Sequence, residues 1–298
     1  MKNCSGQTAV ITGAASGFGL EVARIAAARG MNLVLCDVQA DALEAAAAEF
    51  EGRPMLVQRV DVSKAAEMEA LAAAVKQRFG APHFVFNNAG VGSGGLVWEN
   101  TLADWEWVLG VNLMGVVHGV RLFTPMMLEA AAADPAYEGH IVNTASMAGM
   151  VNAPNMGVYN VSKHAVVSLS ETLYQDLALV SNQVHAAVLC PFFVPTGISQ
   201  SHRNRPGEFA ASKPTKSQLV SQAMSDKAVS SGKVTAAEVA AMVFAAMDEK
   251  QFYVFSHPKV LAGVQTRLED VMQLRNPTSP FIDKPELGEQ IKALLKAS

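Results

Sequence analysis

Tyr159 and Lys163 stand four positions apart in a stretch, Tyr159–Val180, whose pattern predicts a long helix. Residues at this spacing lie on one face of a helix. A free tyrosine has a pKa of about 10, too high for an efficient base near neutrality, but a neighbouring ammonium lowers that pKa. The pair predicts that Tyr159 exchanges a proton with an alcohol or a ketone. The alternative is an ordinary surface pair without a catalytic role.

A glycine-rich segment, Thr12–Gly19, lies between the first predicted strand and the first predicted helix. Glycines let the backbone turn tightly and approach a ligand closely. The free N–H groups at the start of the next helix suit a pyrophosphate. Asp37 ends the second predicted strand, about 20 positions further on, where dinucleotide-binding folds place an acidic residue for the ribose. The pattern predicts a dinucleotide site, and a glycine-rich turn without a ligand is the alternative.

The elements that would position these residues alternate along the chain, since short apolar runs predict strands and the stretches between them predict helices. The predicted strands are 8–11, 33–35, 55–60, 84–86, 140–144, 184–189 and 252–255, and the predicted helices are 19–29, 40–50, 65–79, 102–133, 159–180, 236–249 and 260–274. This alternation predicts the α/β class, with a doubly wound (Rossmann-type), mostly parallel sheet and helices on both faces.

Residues 1–298 are predicted to form a single domain. The alternation fails at residues 191–234, which are predicted to be a substrate loop or lid, and residues 277–298 are predicted to be a C-terminal tail.

Composition excludes several classes of protein. The 298 residues carry a net charge of -4 without a long basic run, so no nucleic-acid partner is expected. No stretch offers roughly 18 uncharged apolar residues, so no membrane helix is expected. The first residues lack an apolar signal core, which makes a cytoplasmic location the default. The three cysteines lie far apart, and His118, His140, His164 and His185 have no partners at ligand spacing and are predicted to be structural. No disulfide framework and no metal are therefore predicted.

Several motifs, in order along the chain, resemble those of the short-chain dehydrogenase/reductase family. The glycine segment has the spacing T-G-x-x-x-G-x-G, Asn87–Gly90 reads N-N-A-G, and Tyr159–Lys163 reads Y-x-x-x-K. Ser146 stands where the family keeps its catalytic serine, and Asn112 matches the family's helix asparagine.

The resemblance implies four catalytic residues: Ser146, Tyr159, Lys163 and Asn112. Ser146 would hold the substrate oxygen with its hydroxyl, Lys163 would also bind the ribose, and Asn112 would hold a proton-relay water. The positive nicotinamide ring would act with Lys163 to lower the pKa of Tyr159.

The cofactor implied is NAD. The residues expected to bind it are Gly13, Ser16, Gly17, Phe18, Gly19, Asp37, Asp61, Val62, Asn88, Ala89, Gly90, Tyr159, Lys163, Val194 and Thr196. Asp37 favours NAD because its charge would repel the extra phosphate of NADP, and Ser16 stands where NADP-preferring relatives often carry a basic residue. NADP stays the alternative cofactor, and a helix N-cap is the competing role of Asp61.

The substrate is predicted to be a hydrophobic ketone or secondary alcohol. Segments that resemble the family's pocket walls contain apolar side chains, namely Met147, Met150, Met156, Phe192 and Phe193. The alternative for each methionine is that it packs into the core and does not contact the substrate. Phe192 also departs from the family pattern, which has glycine there, and this departure predicts a differently shaped nicotinamide pocket.

Other functions remain open at this point. The basic residues His202, Arg203 and Arg205 suggest a 3-oxoacyl thioester reductase that holds an anionic substrate with its lid. A nucleotide-sensing regulator without chemistry is a second alternative, and an epimerase or dehydratase is a third. The resemblance also implies a homodimer or homotetramer formed through the fourth and fifth predicted helices.

Overall fold

The central sheet of the protein is parallel throughout. The computed structural model describes residues 4–209 and 213–296. Its strands are β1 (Thr8–Thr12), β2 (Asn32–Asp37), β3 (Met55–Arg59), β4 (Phe84–Asn87), β5 (Gly139–Thr144), β6 (Val184–Cys190) and β7 (Tyr253–Phe255). They pair in the order β3-β2-β1-β4-β5-β6-β7. The uncharged, fully buried β1 and β4 match a sheet covered on both faces, so the predicted fold class is confirmed.

Helices cover both faces of this sheet. They are α1 (Gly17–Ala28), α2 (Ala40–Ala48), α3 (Ala65–Phe79), α4 (Leu102–Leu109), α5 (Gly115–Ala133), α6 (Gly157–Val180), α7 (Lys216–Ser230), α8 (Ala236–Glu249), α9 (Leu261–Met272) and α10 (Pro285–Lys296). Helices α1, α2 and α8 share one apolar core, which includes Val22, Leu43 and Phe244. Helices α3, α5 and α6 share the core of the opposite face, which includes Leu71 and Phe123.

The order of the strands creates a crevice at their carboxyl ends. The chain runs outward from β1 to β2 and β3 on one side, and from β4 to the remaining strands on the other. Open parallel sheets bind ligands where the strand order reverses in this way. The glycine segment after β1 and the asparagines at the end of β4 therefore meet at this crevice.

The predicted helix 102–133 is continuous but not uniform. A π-helical turn, Gly110–Met114, joins α4 to α5 and contains the buried Asn112. Such turns inside α-helices often mark functional sites. By length and composition alone, the stretch Leu102–Ala133 is apolar enough to cross a membrane, and half of its most apolar window is buried in the protein.

The predicted lid contains more regular structure than its sequence indicates. Helix α7 lies within it, and a capping box in which Thr215 and Gln218 bond each other's backbone starts this helix. Helix α10, in the predicted tail, packs against α7. The expectation of an irregular segment is wrong for residues 216–230, because α7 has a weakly apolar face that periodicity does not reveal. Residues 210–212 of the lid and 297–298 of the tail lie outside the described residues.

Candidate active site

The segment after β1 takes a path that requires glycine. Gly13 and Gly17 have φ values of +66° and +54°, in the left-handed region that favours glycine. A Cβ built on Gly19 would lie 2.0 Å from the carbonyl oxygen of Gly13. The Ser16 side chain makes no capping bond to α1, and the first N–H groups of a helix have no intrahelical partner. The segment therefore forms a cradle whose N–H groups in the first turn of α1 are available to a ligand.

Asp37 is held beside this cradle. Its carboxylate accepts hydrogen bonds from the backbone N–H groups of Ala15 at 3.1 Å and Gln39 at 3.0 Å. The carboxylate joins the glycine segment to the end of β2, and Asp37 lines the same cavity as Gly13 and Ser16.

Thr12 fixes the end of β4 to the end of β1. Its hydroxyl oxygen accepts from the backbone N–H of Asn88 at 2.8 Å and of Ala89 at 3.0 Å. The Asn88 amide donates to the carbonyl oxygen of Thr12 at 3.0 Å. Sequence reasoning gave Thr12 no role of its own, although a polar side chain at the end of an apolar strand was a usable signal.

Ser146, Tyr159 and Lys163 meet on one side of the crevice. Ser146 follows β5, and the other two occupy the first turns of α6. The Lys163 Nζ lies 5.7 Å from the centre of the Tyr159 ring and donates to the carbonyl oxygen of Thr144 at 2.9 Å. The Ser146 hydroxyl makes a long bond of 3.4 Å to the carbonyl oxygen of Pro191.

Asn112 lies behind this cluster, in the π-helical turn. Its amide donates to the carbonyl oxygen of Val91 at 3.0 Å and to the Ser162 hydroxyl at 3.1 Å, while its own oxygen accepts from the N–H of Val91 at 2.8 Å. Asn112 is fully buried. Its side chain therefore fixes the segment after the N-N-A-G motif against α6.

Burial dominates the titration of the two central residues. It lowers the pKa of Lys163 to about 8. It raises the pKa of Tyr159, and hydrogen bonding with Ser146 opposes this increase. The predicted lowering of the Tyr159 pKa is therefore wrong for the protein without its cofactor. The physical reason is that desolvation outweighs an ammonium that bonds to Thr144.

The remaining predicted cofactor residues also converge on the crevice. Asp61 accepts hydrogen bonds from the N–H and the hydroxyl of Ser63 at 3.0 and 2.7 Å. The N-cap of α3 is Lys64, so Asp61 does not cap this helix and stabilises the turn before it. Thr196 packs against Gly17, and Val194 is buried. Two predicted residues, Gly19 and Asn112, lie behind the cavity wall, and the others line the cavity: Gly13, Ser16, Gly17, Phe18, Asp37, Asp61, Val62, Asn88, Ala89, Gly90, Ser146, Tyr159, Lys163, Val194 and Thr196.

Phe192 fits its position without backbone strain. Among the described residues, the non-glycine residues with positive φ are Asn155, Lys250 and Leu274. The Phe192 N–H donates to the Ser256 hydroxyl at 3.0 Å, and its ring is 40% exposed on the cavity wall. The departure from the family's glycine therefore adds an apolar surface to the pocket.

The arginines of the predicted lid already have protein partners. Arg205 forms an ion pair of 2.5 Å with the buried Asp104 of α4 and lies over the Trp107 ring. Burial raises the pKa of Asp104, but bonds from Arg205 and Thr101 leave this pKa below its ordinary value. Arg203 donates to the Gln39 side chain at 3.2 Å, close to Asp37. Sequence reasoning missed this contact because the two residues are far apart in the chain.

The crevice opens into a cavity of about 1660 Å³. Four of the five predicted wall residues line it: Met147, Met156, Phe192 and Phe193. The fifth, Met150, packs against the buried core around Val166, and Met147 is itself a buried member of that core, as the alternative for the methionines predicted. Further walls come from Leu219 of α7 and Leu287 of α10, which the sequence patterns did not assign to the site.

The crevice and the cluster beside it place the chain among the dinucleotide-binding oxidoreductases. A family model described as short chain dehydrogenase matches residues 7–207. The chain belongs to this family, as its motifs predicted.

Three similar proteins extend the comparison beyond the matched segment. A CLA biosynthesis dehydrogenase/reductase of Lactiplantibacillus plantarum is 31% identical over 95% of this chain and 99% of its own length. A C alpha-dehydrogenase of Sphingobium sp. is 29% identical over 99% of this chain and 94% of its own. The crystal structure of a family member from Burkholderia phymatum in complex with NAD has a TM-score of 0.90 and 48% identity, and covers 94% of this chain and 99% of that one.

Proposed function

We propose that this chain is an NAD-dependent oxidoreductase that interconverts a secondary alcohol and a ketone on a hydrophobic substrate. The observation that carries the proposal is that Ser146, Tyr159 and Lys163 open onto the same cavity as the glycine cradle and Asp37. A dinucleotide bound in the cradle would bring its reactive end toward the cluster of Ser146, Tyr159 and Lys163.

The residues of the crevice fit a dinucleotide. A Cβ on Gly13 would be only 3.0 Å from the Ala89 backbone, so glycine lets the segment after β1 pass close to the end of β4. The N–H groups in the first turn of α1 suit a pyrophosphate. The Asp37 carboxylate suits the two hydroxyls of a ribose. NAD supplies the hydride acceptor for alcohol oxidation, and its presence in the Burkholderia structure supports the choice.

The chain's own residues supply proton transfer and orientation. Tyr159 accepts the proton of the alcohol, or donates one to the ketone oxygen in the reverse direction. Ser146 orients the substrate oxygen, since its long bond to Pro191 is easily exchanged for a shorter one. Lys163 places a positive charge near Tyr159 that favours the phenolate. Asn112 positions the segment after Gly90 through three side-chain hydrogen bonds.

The walls of the cavity favour a substrate that is largely apolar and of medium size or larger. Phe192 is 40% exposed and Leu219 is 57% exposed, and both line the cavity. Exposed apolar side chains around a pocket are surfaces that an apolar ligand covers favourably.

The acyl-thioester alternative has less support. It requires Arg203 and Arg205 to hold an anionic group, but Arg205 neutralises Asp104 and Arg203 contacts Gln39 and Gln200. Freeing Arg205 would leave a buried carboxylate unpaired, which costs about 3–5 kcal/mol.

A panel of secondary alcohols and ketones, assayed with NAD(H) and NADP(H) by the absorbance of the reduced nicotinamide, tests the proposal. We expect turnover of apolar substrates with NAD. Arg203→Ala combined with Arg205→Ala should change this turnover little once circular dichroism shows that the double variant is folded. Turnover of acyl thioesters alone, with a large increase in KM in the double variant, would establish the alternative. A preference for NADP would overturn the cofactor assignment.

The proposal extends to a cytoplasmic homodimer or homotetramer. Helix α6 exposes apolar side chains at Val161 and Leu179. These two residues lie on one face of the helix, which supports an interface there. Light scattering coupled to size-exclusion chromatography tests the assembly, and a monomer at micromolar concentration would contradict it.

A further inference from the structure

Three side chains with metal-ligating atoms meet at the edge of the sheet opposite the cofactor crevice. Glu138 directly precedes β5, and His140 and His185 are the second residues of β5 and β6. The two histidines are partners in the register of these parallel strands. The amino ends of the strands therefore bring together residues that the active site does not use.

The distances between these atoms suit a shared ion better than hydrogen bonds. The Glu138 Oε1 lies 3.5 Å from the His185 Nε2 and 3.8 Å from the His140 Nε2, and the three ligand atoms lie within 4.8 Å of one another. Hydrogen bonds of this type are usually shorter than about 3.2 Å. Ligands at about 2.1 Å from a tetrahedral zinc ion are separated by about 3.4 Å.

The two histidine nitrogens are buried and without partners. The His140 side chain is 4% exposed, and among the residues that the structure describes neither its Nε2 nor that of His185 has a hydrogen-bond partner at normal distance. A buried polar atom left in this state destabilises the fold.

We propose that Glu138, His140 and His185 form a binding site for a divalent zinc ion. Two imidazole nitrogens and one carboxylate oxygen are donors that zinc prefers, with water as a fourth ligand. The ion would tie the segment before β5 to β6. The expectation of no metal rested on spacing along the chain, whereas strand register brings these residues together.

Lys250 is the local competitor for the ion. Its Nζ lies 2.8 Å from the Glu138 Oε1, and its side chain is 51% exposed, so it can move into solvent when a cation binds. Replacing it by a neutral residue removes a positive charge near the ion. We expect Lys250→Gln to lower the dissociation constant for zinc about tenfold.

Zinc uptake by protein that carries no affinity tag and has been treated with a chelator tests the site. We expect one zinc ion per chain by elemental analysis, and an increase in Tm of about 3 °C or more in excess zinc. Glu138→Gln and His185→Gln should weaken binding at least about tenfold. His257→Gln is the matched control, since His257 is a partly exposed histidine outside the cluster that bonds to Ser256, and it should bind like the wild type.

Two results would overturn the site. One is wild-type protein that takes up no zinc after chelation, and the other is unchanged affinity in Glu138→Gln. If His185→Gln fails to fold, Glu138→Gln decides the question, because it keeps the size of a side chain that is 28% exposed. Dehydrogenase activity is measured in parallel and should not follow the zinc content.

Discussion

Residues 7–207, which the family model matches, and residues 213–296 contribute different kinds of side chain to the cavity. In the first region, short hydrogen bonds between strand ends and loops fix Asn88, Lys163 and Asn112. In the second region, partly exposed apolar side chains such as Leu219 and Leu287 extend the cavity wall that Phe192 begins. Fixed strand ends in the first region suit chemistry, which needs a fixed geometry, and the partly exposed apolar side chains of α7 and α10 in the second region suit the selection of an apolar substrate.

The largest effect is expected at the centre of the first region. Tyr159→Phe removes only the ionisable oxygen, so kcat should fall by about 10²–10⁴ for every substrate. The dissociation constant for NAD, measured by calorimetric titration, should stay within about threefold of the wild-type value, since the ring and its packing are kept. Phe192→Tyr, a matched change on the cavity wall, should retain most of its activity. Near-normal kcat in Tyr159→Phe would exclude the acid–base role.

Replacing Lys163 should change activity and stability in opposite directions. Burial holds its pKa at about 8, below the ordinary value of about 10.4, so a buried charge destabilises the cofactor-free protein at pH 7. Lys163→Met should lower kcat and weaken NAD binding, yet raise the free energy of unfolding by about 1 kcal/mol or more.

The pH dependence of this stability difference has a definite sign. Between pH 8 and about 10.4 the unfolded chain binds the lysine proton that the folded protein has released, so wild-type stability rises with pH there. The advantage of Lys163→Met, measured by denaturant unfolding without cofactor, should therefore shrink over this range. A variant less stable than the wild type at pH 7, with a difference independent of pH, would contradict the account.

Asp37 should set the choice of cofactor. Asp37→Asn removes the charge but keeps the size, so the ratio of kcat/KM for NAD to that for NADP should fall about tenfold or more. The control is Asp41→Asn, which changes an exposed carboxylate in the first turn of α2 and should leave the ratio unchanged. Equal ratios in the two variants would remove Asp37 from cofactor selection.

The smallest effect is expected in the second region and should depend on the substrate. Leu219→Ala removes a cavity wall, so KM for bulky apolar substrates should rise about fivefold while small substrates are unaffected. Leu268→Ala is the matched control, since Leu268 is 50% exposed on α9, against 57% for Leu219, and does not line the cavity. A uniform change in KM across substrate sizes would mean that α7 acts on the fold rather than on selection.

The difference between the two regions also explains which features could be predicted from the sequence. The strands, the glycine cradle and the Ser146, Tyr159 and Lys163 cluster were predictable, because local spacing and strand ends determine where such residues lie. The placement of Leu219 and Leu287 was not, because it depends on how α7 packs against α10. The ion pair of Asp104 with Arg205 and the pairing of His140 with His185 also depend on contacts between distant parts of the chain.

The direction of the Tyr159 pKa was mispredicted for a related reason. Sequence reasoning counted the charge of Lys163, which its position four residues away supplies. It could not count the loss of solvent around both groups, because burial emerges only when α6 packs against β5 and β6.

One measurement tests the central claim that the first region carries out hydride transfer and the second selects the substrate. It is kcat/KM for a series of secondary alcohols of increasing apolar size with NAD, compared among the wild type, Tyr159→Phe and Leu219→Ala. The account predicts a loss of about 10² or more at every size for Tyr159→Phe, and a loss confined to the large alcohols for Leu219→Ala. Comparable rates for the wild type and Tyr159→Phe across the series would contradict it.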